Sequence, residues 1–201
     1  MLFLTNNHSF LDSIKALDRA VLLAINRANF PALDTVMVLA SNRLVWFPVY
    51  AVLIGWLIYH FRRRAWLLLP LVVTAVALAD SITSRLFKPF FGRPRPCHDA
   101  ALFAQLHLPD GCGGQFGFLS SHAANSMALA VFLTVVLPAG RFQKIKIALF
   151  SWTVLLSYSR MYLGAHYPTD VLGGAAIGAL LGWGAALTYQ HLALRWWPAR
   201  V

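Results

Sequence analysis

Charge is scarce in this sequence. Only 12% of its 201 residues are charged, and acids are the rarer kind, 7 Asp and Glu against 17 Lys and Arg. A soluble domain carries roughly twice that charged fraction, so a soluble globular fold is excluded. Cysteine is limited to two residues, Cys97 and Cys112, both in one loop. A removable signal peptide is not expected either, because the first residues lack a basic start, a short apolar core and a small-residue cleavage site.

Apolar chain is what the sequence has in quantity: 59% of its residues are hydrophobic and its mean hydropathy is +0.62. Several runs reach the roughly 20 residues that cross a bilayer as helix. The fold expected is all-α, a polytopic membrane bundle of about five transmembrane helices preceded by an amphipathic interfacial helix. The net charge is +10, but the basic residues lie between the apolar runs and not on one soluble face. That argues against a nucleic-acid partner. It fits orientation signals and an anionic substrate.

Along the chain, residues 1–42 form an N-terminal segment and 43–201 the membrane-embedded domain. In 10–28, Leu11, Ile14, Leu17, Val21, Ile25 and Ala28 recur at helical spacing, with Asp12, Lys15, Arg19 and Asn26 on other faces. This reads as a helix lying in the interface. Pro31 opens a second short segment ending near Ala40. The spans expected are 44–61, 66–87, 121–137, 147–163 and 168–192. Arg62-Arg63-Arg64, then Arg141, Lys144 and Lys146, then Arg195 and Arg200 fall on one side, which the positive-inside tendency makes cytoplasmic. The long loop 88–120 and the segment around His166 fall on the other. Asp80 sits inside the second span, where an ionisable group is costly and points to function or to a buried partner such as Arg85. Gly174, Gly178 and Gly182 give the last span a smooth face for close packing.

Three stretches carry chemistry. In Ser159-Arg160-Met161-Tyr162-Leu163-Gly164-Ala165-His166-Tyr167-Pro168-Thr169-Asp170, Pro168 suits the first position of a helix and places Asp170 in its first turn. His166 and Asp170 are close enough for the carboxylate to hold one imidazole nitrogen and leave the other as a nucleophile. Arg160 can clamp an anion beside them. In the long loop, Lys88 and Arg95 stand on proline-stiffened chain, with Arg93-Pro94 just ahead of Arg95, and suit a multivalent anion. The third stretch runs from Gly113 into the span at Ser121. Ser120 reads as its N-cap, and a helix N-terminus offers free N–H groups to phosphate. His122 stands in its first turn, and Asn125 and Ser126 follow on the same face.

In combination these residues resemble the type 2 phosphatidic acid phosphatase family, whose motifs are K-x6-R-P, P-S-G-H and S-R-x5-H-x3-D. Lys88 to Pro96 and Ser159 to Asp170 match in full. The middle motif reads Leu119-Ser120-Ser121-His122, with Leu for Pro and Ser for Gly. The resemblance covers roughly residues 40–190. It implies a lipid phosphatase in which His166 forms a phosphohistidine, Asp170 orients it, and His122 protonates the leaving oxygen and then activates water. Lys88, Arg95, Ser120, Ser121 and Arg160 would bind the phosphoryl oxygens, with Asp80 and Asn125 supporting them from behind. No cofactor or metal is expected, and His98-Asp99 reads as a loop feature. The substrate class is a lipid phosphate or diphosphate, such as undecaprenyl diphosphate, phosphatidylglycerol phosphate, phosphatidic acid or lipid A phosphate. The expected location is a bacterial-type cytoplasmic (inner) membrane, with the site on the extracytoplasmic side and membrane lipids as the surrounding partners. In an oxidising compartment Cys97 and Cys112 can pair as a disulfide. A lipid-linked phosphotransferase on the same scaffold and a non-catalytic lipid-binding protein are the alternative readings.

Overall fold

The computed structural model describes residues 5–197, so Arg200 lies outside the described residues. Among these the chain is helical throughout, with no strand beyond a single bridge between Pro94 and Phe116. The helices are α1 (Thr5–Arg27), α2 (Pro31–Ser41), α3 (Phe47–Phe61), α4 (Ala65–Ser81), α5 (Lys88–Phe91), α6 (Ala100–Phe103), α7 (Ser121–Val136), α8 (Gln143–Tyr162) and α9 (Pro168–Trp196). A π-helical turn, Ile82–Phe87, carries α4 into α5.

Two stretches, Arg43–Phe91 and Pro168–Trp196, are long and apolar enough to cross a membrane, while α2 and α7 are apolar but shorter. The first stretch is not one rod. Arg62 takes a positive φ of 48°, and the chain reverses there. Trp46, ahead of α3, packs on Trp152 of α8, and Phe61 at its other end packs on Tyr189 of α9. Leu67, Leu68 and Val72 of α4 share a core with Leu57, Phe132, Leu133 and Tyr189. Further along α4, Ala79 packs with Ala124 and Ala128 of α7, and Thr83 reaches Ser121. The basic clusters gather at the reversal end, where Arg64 donates to the carbonyl of Trp197 and Arg141 lies over Phe142, which itself packs on His60.

Small residues bring α7 and α9 together. A Cβ added to Gly174, Gly178 or Gly182 would lie 2.4, 2.1 or 2.3 Å from the backbone oxygen of Ser120, Ala124 or Ala128. The helices therefore meet backbone to backbone, as a small-residue face in a membrane allows. Meanwhile the perimeter of the bundle is apolar: Val52, Trp66, Val73, Ile147, Val154, Leu172 and Leu194 are all exposed.

The first helix is oriented by its polar face. Asp18, Leu22 and Asn26 are buried against the protein, while Phe10, Leu11, Leu17 and Val21 face outward. α2 follows it onto α8, with Met37 against Tyr162 and Leu163.

Candidate active site

At the end of the bundle opposite the basic clusters, two helix starts, one helix end and one folded loop converge. α9 begins at Pro168, and Asp170 closes a capping box by accepting from the Tyr167 N–H at 3.0 Å. This holds the segment before the helix in a fixed turn. Gly164, at φ 65°, supplies the left-handed residue that ends α8. His166 is left 1% exposed, with Nδ1 3.5 Å from Asp170 Oδ2. That is a close polar contact, longer than the hydrogen bond that the spacing predicted. The other carboxylate oxygen, Oδ1, accepts from Arg93 Nη1 at 2.7 Å.

α7 begins at Ser121, with Ser120 at its N-cap in extended conformation but making no side-chain cap bond. The Ser120 N–H donates instead to the carbonyl of Asp170 at 2.9 Å, tying the two helix starts together. Ser120 Oγ is buried without a partner, and so are Arg160 Nε and His166 Nδ1. A buried polar atom with nothing to bind is costly. Several at one place mark the seat of a polar ligand.

The cations surround this seat. Arg95, Arg160 and Lys88 all act on the His166 ring, and together with its burial they hold the imidazole well below the usual histidine range. Burial is the largest cause. His122 lies in the same field, close to Arg160 and His166. Lys88 Nζ sits 3.5 Å from Ser121 Oγ. Arg160 Nη1 is bonded to Ser41 Oγ of α2, which aims its guanidinium from behind.

The loop 88–120 is folded and not loose. Arg95 N–H donates to Gln115 O and Gly117 N–H to Arg93 O, so its two arms pair. Cys97 and Cys112 are joined in a disulfide, with Cα atoms 5.8 Å apart. His98 lies with the two sulfurs within 4.8 Å, but both are taken by the disulfide, and its Nε2 bonds to Gly113 O. Asp99 caps α6 and pairs with Arg19 of α1 at 2.8 Å. A Cβ on Gly113 would meet Arg95 Nη1 at 3.0 Å, so the disulfide-bonded arm is also the wall against Arg95. Cys97→Ser with Cys112→Ser is expected to lower stability by about 3 kcal/mol and to weaken substrate binding more than turnover. Thermal melting and KM against kcat check both.

Four sequence expectations are adjusted. Asp80 is paired with Asn125, whose Nδ2 donates to it at 3.1 Å, and not with Arg85. The two therefore brace α4 on α7, and the Asp80 carboxylate also acts on Lys88 by its charge. Ser126 Oγ turns to the carbonyls of His122 and Ala123, so it caps backbone instead of facing the cradle. Thr83 Oγ1 lies 2.7 Å from Ala79 O and 2.9 Å from Ser121 Oγ. Since the closer carbonyl takes the threonine proton, Ser121 donates to Thr83 and accepts from Lys88. Its hydroxyl thus anchors Lys88, leaving its helix-start amide for an anion. Arg93 and Asp18, given no role from sequence, stand directly behind Asp170.

A sequence model of the PAP2 superfamily matches residues 66–194. The chain is 36% identical over 179 residues to a lipid A 4'-phosphatase of Bacteroides thetaiotaomicron, across 86% of this chain and 77% of that protein. It is 28% identical to a lipid A 4'-phosphatase of Porphyromonas gingivalis, across 92% and 78%. Among solved structures, the crystal structure of Aquifex aeolicus LpxE superposes with a TM-score of 0.61 at 28% identity, covering 83% of this chain and 92% of that one.

Proposed function

The chain belongs to the PAP2 superfamily and is a membrane lipid phosphatase, and from that premise we propose that it hydrolyses a phosphate monoester on a lipid A-type glycolipid through a phosphohistidine at His166. The observation that carries the reading is the seat itself. Three buried polar atoms without partners, on Ser120, Arg160 and His166, lie among Lys88, Arg95 and Arg160. Its one carboxylate, Asp170, is already neutralised by Arg93. The seat is therefore net positive, short of acceptors and matched to a tetrahedral dianion. The named activity of the two lipid A 4'-phosphatase relatives supports a lipid A headgroup.

The chemistry follows from the groups present. Turned to Asp170 by Nδ1, neutral His166 attacks phosphorus with Nε2. A P–N bond forms as the P–O bond to the lipid breaks, and His122, protonated once the bound phosphate dianion offsets the cations beside it, gives the departing oxygen its proton. His122 then takes a proton from water, whose oxygen displaces His166 and yields inorganic phosphate. Asp170 stabilises the charge that the ring carries in between. Lys88, Arg95 and Arg160 take up the equatorial oxygens in both steps, together with the helix-start amides of α7.

We read α3, α4, α7, α8 and α9 as the spans, with α1 in the interface. The basic clusters then face the cytoplasm and the seat faces outward. The outward face of α1, with Phe10, Leu11, Leu17 and Val21 exposed, beds in the lipid beside the seat. Phosphate release by the purified protein in detergent tests the proposal. The panel is lipid A, undecaprenyl diphosphate, phosphatidylglycerol phosphate and phosphatidic acid, each with EDTA present. Fastest release from lipid A, sensitive to vanadate and indifferent to EDTA, is expected. A need for divalent metal would overturn the mechanism, and preference for a glycerophospholipid would overturn the substrate.

A further inference from the structure

We infer that Arg93 is the positioning residue for Asp170, and that Asp18 of α1 holds Arg93 in place, so that the first helix completes the active site. The inference rests on the phosphohistidine reading above and goes beyond it, because that reading gives neither residue a part in the chemistry.

The geometry is that of a fork with both ends occupied. Nη1 of Arg93 donates to Asp170 Oδ1 and to Thr169 Oγ1, each at 2.7 Å. Nη2 donates to Asp18 Oδ2 at 2.6 Å. Asp18 is bound in return by the Thr169 N–H at 2.9 Å and by the Thr169 hydroxyl. The guanidinium lies over the Tyr167 ring, 4.1 Å from its centroid. The two carboxylates are 3% and 0% exposed, Arg93 itself 26%.

Asp170 thus has each oxygen assigned. Oδ1 is fixed by Arg93, and Oδ2 accepts from Tyr167 N–H while facing His166. Without the first bond the carboxylate is free to swing, and the oxygen facing His166 goes with it. A carboxylate that sets imidazole orientation acts only within a narrow geometry. Asp18 matters because it shares the guanidinium with Asp170, and it pulls the fork's far end to α1. A lysine has a single point of charge and cannot hold both ends. α1 is pinned to the same loop a second time by Arg19 and Asp99, so its docking is specific.

The test uses the full-length protein in detergent with the lipid that wild type hydrolyses fastest. Arg93→Ala is expected to lower kcat on the order of 10²-fold with KM within about threefold, and Asp18→Asn to lower it about tenfold. Millimolar guanidinium, far below denaturing levels, should restore part of the Arg93→Ala activity and none of a His166→Ala activity. Arg93→Lys should stay low. Unchanged kcat in both Arg93→Ala and Asp18→Asn would overturn the inference. So would a loss that tracks a lowered thermal midpoint and resists guanidinium, since that is the mark of a merely structural ion pair. If wild type releases phosphate from no lipid, the phosphatase reading fails instead, and the two failures are told apart by the wild-type control.

Discussion

His166→Ala is expected to lose about 10⁵-fold in phosphate release while still binding lipid phosphate. The magnitude is that of removing a nucleophile which acts as one unit with its partners. Binding survives because the ring is not what holds the anion: Lys88, Arg95 and Arg160 surround it from three separate elements. The same cations explain why the ring is ready to attack. Burial and their charge keep it neutral at ordinary pH, so no proton would have to leave before the proposed P–N bond forms. His122→Ala should cost less, on the order of 10³-fold, and should fail later in the cycle. With an activated leaving group, rapid quenching is expected to trap labelled phosphoenzyme in His122→Ala and none in His166→Ala. Label trapped equally in both would remove His166 from the nucleophile's place.

Gly178→Ala is expected to destabilise the protein by about 3 kcal/mol and to abolish activity, although the residue is far along α9 from the seat. The added carbon would lie 2.1 Å from the carbonyl oxygen of Ala124, which is backbone and cannot turn aside. The two helices must part instead. Their separation is communicated directly to the site, because Gly174 rests on Ser120 and the Ser120 N–H binds Asp170 O. Gly184, on the same helix with open space around it, is the control. Gly184→Ala should change stability by no more than about 0.5 kcal/mol. Thermal melting in detergent beside phosphate release compares them. Equal midpoints for the two variants would refute the close-packing account.

The chain's pattern made most of this visible, for identifiable reasons. Spans announce themselves by long apolar runs, and Pro168, Ser120 and the glycine stripe mark helix starts and contact faces at short range. The expected segments 121–137 and 168–192 correspond to Ser121–Val136 and Pro168–Trp196. What stayed hidden is long-range and polar. Asp18 carried no signal in the sequence that set it apart on an amphipathic helix, yet its carboxylate lies buried against Arg93 and Thr169. Amphipathicity gives the axis of a helix's two faces, not which face meets protein, and in lipid the usual assignment inverts. Asn125 offered itself to the cradle by its place on the helix but found Asp80 on α4 first. Such choices depend on which neighbour is closer in space, which spacing along one chain does not encode.

The docking of α1 also dictates an order of assembly. Asp18 bonds Thr169 across 151 positions, and Asn26 bonds Tyr162 across 136. The helix synthesised early therefore meets Arg93, Asp99 and His107 first, and its seating is completed only when α8 and the start of α9 have emerged, since ribosomes deliver residues one after another. Until then its buried carboxylate has no guanidinium–threonine socket to enter. A chain arrested before Thr169 carries Lys88, Arg95 and His122 but has neither Asp170 nor a seated first helix. On the proposed mechanism, catalytic competence is consequently a late property of the chain: a nascent fragment that ends before Asp170 is expected to leave the phospholipids around it untouched.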